Sequence, residues 1–258
     1  MLRSILTFPG STPVPGMPKL DVTEAEIAVA NILGLKHWPG LNDWDVSTGV
    51  ILDRMTDGVI PSYGLSQPGA NFVTMVNGKK GYKINALANT LTMPGFDTSG
   101  SFTVGCVCGM DLTFGSFTET ELNTSVPAPW GIYSDVSPTG LVSVVFGTIA
   151  IASSVAATWP IKLSADRLTA VVIVFDRGAG KLSIRYNGIE MYSSTVAAIK
   201  TVSLHKELMM GGMRTAGTGR AIATRAMSTN AFAAFETALK GDDLISLEAM
   251  LLEAAAAA

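Results

Sequence analysis

Charged side chains are scarce in this sequence of 258 residues, at 15% against 48% hydrophobic residues. The hydrophobic fraction excludes a disordered chain and supports a sizeable core. The formal net charge is -3, so no basic surface is available for nucleic acid. Because charged residues are depleted at the centres of protein interfaces, a surface with so few of them favours burial against partners.

Cysteine and histidine are almost absent, with two of each. On a strand, Cys106 and Cys108 would lie about 7 Å apart on one face, near or beyond disulfide reach. Two thiols alone do not build a zinc site, so we predict that both are buried and free. His37 and His205 have no nucleophile elbow nearby, and we therefore predict no catalytic residues, no enzyme activity and no cofactor.

Long apolar runs are also missing. No stretch reaches the ~18 apolar residues of a membrane helix, and the run 144–155 is short and interrupted by Gly, Thr and Ser. The N-terminus lacks the apolar core of about 7–15 residues that a signal peptide needs. We expect a protein that is made in the cytoplasm and does not contact a membrane.

Prolines concentrate in residues 1–20, alongside Gly, Ser and Thr, which predicts an extended arm. Such an arm is either a frayed terminus or a segment held by a neighbouring subunit. Residues 21–37 follow as a predicted helix, with Thr23 as N-cap, Glu26 completing a capping box and Gly34 as the stop. The candidate assembly contacts are Phe8, Pro9, Pro13, Val14, Pro15, Ile27 and Leu33.

Residues 38–258 have the short runs and frequent turn residues of an all-β body. The segment 101–108 alternates like a half-buried strand, and 141–151 reads as one central strand. Residues 168–192 form a predicted meander of three strands, with Asn187-Gly188 as the second turn. Within 228–253 we predict two helices, the first from Ser228 to Gly241 and the second over 242–253.

The segment LTAVVIVFDRGAGKLSIRYNGIEMYSS, residues 168–194, resembles the laminin-G/concanavalin-A-like sandwich. The hairpin positions of that family are occupied here by Leu182, Ile184, Tyr186, Asn187 and Gly188. The resemblance extends over about residues 40–258 and implies an antiparallel two-sheet β-sandwich (jelly roll). To this body we add the extended N-terminal arm, one N-terminal helix and a short C-terminal helical tail.

The acidic residues do not match the calcium-ligand or catalytic-carboxylate patterns of that family. Its calcium-binding members need six to eight oxygen ligands, whereas Asp111, Asp135 and Asp176 are dispersed, so we predict no metal site. Its glycosidases pair two carboxylates across a cleft. The nearest pair here, Glu119 and Glu121, lies in a turn-rich segment, where a solvated face is the favoured interpretation.

Two aromatic residues are glycan-binding candidates, namely Trp130 and Tyr133. Aromatic rings stack on sugars in lectin-like sites, but they also cap sandwich edges or fill protein interfaces. Both interpretations of this pair are open from the sequence.

Three hypotheses for function follow from these features. The first is a non-catalytic virion structural protein, a capsid decoration or head/tail accessory subunit, because the resemblance includes bacteriophage proteins that use such sandwiches. Its partners would be major capsid or tail proteins and copies of itself, and its location the virion. The second is a carbohydrate-binding module of a tail fibre or adhesin, which would bind a surface glycan. The third is a glycoside hydrolase.

Overall fold

A computed structural model describes residues 22–41, 51–56, 71–85, 89–110, 112–116, 130–134, 142–146, 149–152, 163–164, 166–202, 208–214, 222–224 and 227–257. From residue 110 to 152, and for 213–214 and 222–224, the description covers the backbone alone. Several sequence candidates lie outside the described residues: Phe8, Pro9, Pro13, Val14, Pro15, Asp111, Glu119, Glu121, Asp135 and His205.

Helices and strands follow one another in this order along the chain: α1 Glu24–Ala30, β1 Leu35–His37, β2 Phe72–Thr74, β3 Lys80–Ile84, β4 Leu91–Met93, β5 Phe102–Met110, β6 Leu112–Ser116, β7 Trp130–Ser134, β8 Val142–Phe146, β9 Ile149–Ala152, β10 Thr169–Asp176, β11 Lys181–Tyr186, β12 Ile189–Thr195, a 3-10 helix Ala197–Lys200, β13 Leu208–Met210, β14 Gly212–Arg214, β15 Ile222–Thr224, β16 Met227–Thr229, β17 Phe232–Phe235 and α2 Gly241–Ala255.

Two antiparallel sheets form the body of the molecule. The first has the order β12-β11-β10-β5-β16-β3-β2, with β17 also pairing β5 and β1 pairing β17. The second has the order β4-β13-β6-β7-β8-β9, and β14 pairs β15 separately. The two sheets enclose an inner core, in which the Phe102 and Phe175 rings stack with centroids 4.9 Å apart. The predicted all-β antiparallel sandwich is confirmed.

A third layer covers the outer face of the first sheet. It consists of α1 and α2, which we call the helix layer, and it encloses an outer core with that sheet. β5 is therefore buried on both faces, and the half-buried interpretation of residues 101–108 is wrong. At Gly105 an added Cβ would lie 2.9 Å from Leu251 Cδ1, which is how closely α2 approaches the sheet.

The predicted meander is confirmed as β10, β11 and β12. Asp176 accepts a hydrogen bond from the Ala179 amide at 3.0 Å and stabilises the first turn. The second turn has positive φ at both residues, 49° at Asn187 and 79° at Gly188, as a tight hairpin with the strand twist requires.

The predicted helix from Ser228 to Gly241 is wrong, because this segment forms β16 and β17. Both Phe232 and Phe235 are buried, as are the alanines between them, since β17 pairs with the middle of β5 between the two cores. A fully buried strand shows no alternation, so its apolar run resembles a helix in sequence. The second predicted helix, over 242–253, is confirmed as α2.

Two other element boundaries differ from the prediction. The run 141–151 is not one strand but a pair, β8 and β9, in which Phe146 is opposite Ile149. α1 has the predicted capping box between Thr23 and Glu26, but it ends at Ala30 with Asn31 as C-cap. Leu35–His37 then forms β1 because it pairs with β17. None of the helices in the described ranges is long and apolar enough to cross a membrane.

Candidate binding groove

A groove with a volume of about 150 Å³ opens between the two helices of the helix layer and the β2–β3 turn. We call it the helix-layer groove, and its lining residues are Thr23, Glu26, Trp38, Pro39, Lys79, Ala231, Met250, Glu253 and Ala254. Its floor is apolar, and its rim carries two carboxylates and one ammonium group. Such a surface can hold an apolar group and pair with charges beside it.

Side chains from the first sheet fix the α2 wall of the groove. The Asn77 amide donates to the carbonyls of Ala254 at 2.9 Å and Ala256 at 3.1 Å, and Asn230 donates to Ala254 at 2.9 Å. Lys79 Nζ donates to the Glu253 carbonyl at 2.7 Å. These bonds satisfy carbonyls that have no partner inside the helix, and the lysine charge also suits the negative end of the helix dipole.

The α1 wall is fixed by Glu26. Its carboxylate accepts from the Thr23 amide at 3.1 Å and from Arg54 Nη1 at 2.8 Å. The Arg54 guanidinium lies over the Trp38 ring, 4.6 Å from the ring centroid. Helix, arginine and tryptophan therefore form one connected wall.

Asp53 holds the backbone beside Trp38 in place. It accepts from the Trp38 amide at 2.9 Å, the Met55 amide at 3.1 Å, Thr56 Oγ1 at 3.1 Å and His37 Nδ1 at 2.7 Å. Burial raises the pKa of Asp53, but the hydrogen bonds from His37, Trp38 and Met55 outweigh it and leave the pKa below its ordinary value. Asp53 is therefore an anion at neutral pH.

His37 lies at the end of β1 and is 2% exposed. Within the described residues its Nε2 atom has no hydrogen-bond partner. The imidazole is thus oriented by Asp53 and enclosed by the protein, with the Phe96 ring 6.2 Å away. The His37–Asp53 pair therefore holds the loop 51–56 against β1.

A partly buried ion pair attaches α2 to the meander, with the Arg185 side chain 21% and the Glu248 side chain 9% exposed. Arg185 Nε donates to Glu248 Oε1 at 2.5 Å, and Nη2 donates to Glu248 Oε2 at 3.3 Å and to the Gly188 carbonyl at 2.6 Å. The hydrogen-bonded carboxylate raises the pKa of Arg185 against the opposing effect of burial. The pair fixes the middle of α2, one and a half turns before the groove.

The two assembly candidates that the structure describes, Ile27 and Leu33, are not among the residues that line this groove. Ile27 and Leu33 lie on or just after α1 and are 40% and 87% exposed. Trp130 and Tyr133 both lie in β7, which pairs regularly with β6 and β8. The glycan-binding role of these two residues stays a prediction.

The remaining candidate residues are part of the core or of turns of the fold. Cys106 and Cys108 are buried and free, as predicted, and burial raises the pKa of the Cys106 thiol. Lys240 Nζ lies 2.6 Å from Asp176 Oδ2 and, with the turn amides, holds the pKa of that carboxyl low. In the part of the chain that the structure describes, no three His, Cys, Asp or Glu residues are grouped to hold a metal ion.

Neither a protein-family model nor a curated protein matches the sequence. Among solved structures, the binding domain of Paraclostridial Mosquitocidal Protein 1 is similar, with a TM-score of 0.53 and 11% identity over 84% of this chain and 52% of that one. The binding domain of Botulinum neurotoxin DC, solved with rat synaptotagmin II, gives 0.52 and 11% over the same shares.

A mutant of Trypanosoma rangeli sialidase that displays trans-sialidase activity is also similar, with a TM-score of 0.54 and 13% identity over 89% of this chain and 37% of that one. These likenesses show the fold. The body of the chain is an antiparallel β-sandwich. It spans about half the length of the toxin binding domains and just over a third of the sialidase.

Proposed function

We propose that this chain is a non-catalytic binding and assembly module. In this proposal the lectin-like sandwich is the displayed body, and the arm 1–20 together with α1 attaches it to neighbouring subunits of a virion, as a capsid decoration or head/tail accessory subunit. The observation that carries the proposal is the exposure of Leu33 and Ile27, at 87% and 40%, close to where the arm joins the body.

The neighbouring residues explain why this exposure supports an interface. Val29 and Ile32 of the same segment are buried in the outer core, so the segment is already anchored without Leu33 and Ile27. Covering a Leu or Ile side chain fully would contribute about 2 kcal/mol each to an association. The low content of charged residues also suits a protein whose surface is shared with partners.

Deleting residues 1–20 is expected to abolish incorporation into particles while leaving the body folded. Leu33→Asp is also expected to reduce incorporation, because burying an unpaired carboxylate in an interface is costly. Particle composition on gels and circular dichroism of the free protein measure the two effects. Ile189→Asp is the matched control, since Ile189 is exposed in the β11–β12 hairpin and does not belong to α1 or the arm. Normal incorporation of the truncated protein contradicts the proposal.

A second candidate is a carbohydrate-binding module, which the similarity to toxin binding domains and to a sialidase favours. Binding on a glycan array is expected to be lost in Trp130→Ala if β7 carries the site. Glu253→Gln is expected to lose it if the helix-layer groove does, because carboxylates accept hydrogen bonds from sugar hydroxyls. An array without binding counts against this candidate.

A further inference from the structure

The helix layer has a one-sided charge. Its helices carry the carboxylates of Glu24, Glu26, Asp242, Asp243, Glu248 and Glu253 and contain no Lys or Arg. Residues 1–20 have the opposite character, with Arg3 and Lys19 and no Asp or Glu. Glu26 and Glu248 are paired with Arg54 and Arg185, so Glu24, Asp242, Asp243 and Glu253 are the carboxylates that complement the basic arm.

Apolar groups accompany these charges on both sides. Ile245 and Leu252 are 61% and 40% exposed and lie seven residues apart, on one face of α2. The arm contributes apolar residues as well, with Leu2, Ile5, Leu6 and Phe8 in its first half. An apolar and basic segment thus matches an apolar and acidic surface.

The helix-layer groove can accommodate part of such a segment. At about 150 Å³ it is smaller than the roughly 300 Å³ at which sites for drug-sized ligands begin, so it suits one or two anchoring side chains. Its floor contains Trp38, Pro39 and Met250, and proline-rich segments bind in grooves lined by aromatic residues. The arm has prolines at positions 9, 13, 15 and 18.

We propose that the helix-layer groove and the outer face of α2 bind the arm of a second copy of this chain. Twenty extended residues span up to about 60 Å, while the fifteen residues of α2 span about 22 Å, so the arm is long enough to reach a neighbour. Thr23 lines the groove, so each arm leaves its own body at a groove rim, and copies can be linked from one groove to the next. This inference rests on the proposed assembly function and names its partner and its site.

Cross-linking between two tagged copies tests the exchange directly. Full-length chain with Ser4→Cys is mixed with full-length chain of different mass carrying Glu253→Cys, and the mixed disulfide is followed on non-reducing gels. Glu190→Cys, on the exposed β12 strand, replaces Glu253→Cys in the control. We expect the groove pair to link at least about tenfold faster than the control pair, because binding raises the effective concentration of the two thiols. Cys106 and Cys108 are buried and do not compete.

Two results overturn the inference. The first is equal linking rates for the groove and control pairs. The second is linking only within a single chain that carries both Ser4→Cys and Glu253→Cys, which would place each arm in its own groove. If neither cross-link forms and the arm deletion still abolishes incorporation, the assembly function stands and the groove is not its site.

Self-association of the full chain, measured by light scattering, supplies a second readout. Glu253→Lys is expected to weaken it about fivefold, because a rim carboxylate is replaced by a repelling charge. Glu190→Lys makes the same charge change in an exposed surface pair and is expected to leave it unchanged. Higher salt is expected to weaken the association, since the attraction between exposed charges is screened. Equal effects of the two substitutions contradict the proposed site.

Discussion

Glu248→Ala is expected to lower the free energy of unfolding by about 3 kcal/mol. The substitution leaves the Arg185 guanidinium, 21% exposed, without the carboxylate that accepts two of its hydrogen bonds. An unpaired charge that is largely removed from water is costly, and this cost exceeds the small gain in helix propensity from alanine. Urea denaturation followed by circular dichroism measures the change.

Two controls separate the ion pair from the helix. Glu253→Ala makes the same substitution five residues later at an exposed position of α2, and we expect a change within about 0.5 kcal/mol. The double variant Arg185→Met with Glu248→Leu is expected to lose less stability than Glu248→Ala alone, because no charge is left unpaired. A double variant that is less stable than both single variants would contradict this account.

Asp53→Ala is expected to cost about 3–5 kcal/mol, because it leaves the His37 ring and two backbone amides without their acceptor. The Trp38 wall of the helix-layer groove depends on the same bonds. We therefore also expect slower cross-linking of the Glu253→Cys copy in this background. Thermal unfolding gives the stability change. An unchanged melting temperature would contradict the role of Asp53 in holding the backbone beside Trp38.

The pH dependence has a definite sign. The pKa of Asp53 in the folded protein lies below the ordinary value of 3.8, so its contribution is complete above that value and is lost as the pH falls through it. Between about pH 6 and about pH 3, the original protein should lose more stability than Asp53→Asn, which cannot titrate. Parallel stability curves for the two proteins would rule out this linkage.

The sequence predicted those elements whose signals are local. Asn187-Gly188 fixes a hairpin because both residues adopt positive φ, and Thr23 with Glu26 caps α1 through bonds three residues apart. β16 and β17 were missed because their burial is decided by pairing with β5, more than 100 residues earlier. Local apolar content alone cannot distinguish a buried strand from a helix.

The groove could not be predicted for the same physical reason. Asn77 and Ala254 meet across 177 residues, and Glu26 meets Arg54 across 28. Neither Trp38 nor Lys79 lies in a sequence motif that predicts contacts with residues distant in the chain. Ile27 and Leu33 were identified because apolar residues on a short terminal helix are visible in the sequence, and their assembly role is still a prediction.

The position of β5 in the first sheet also constrains how the chain folds during synthesis. Its neighbours are β10, which begins at Thr169, and β16 and β17, which lie between Met227 and Phe235. A nascent chain that has passed β5 therefore lacks β10, the partner of one edge, until about 60 further residues have been made, and the other edge waits for β16 and β17, more than 115 residues after β5. Proteins with such distant pairings fold slowly and are exposed to aggregation, so a chaperone that binds extended apolar segments is expected to engage the nascent chain during this interval.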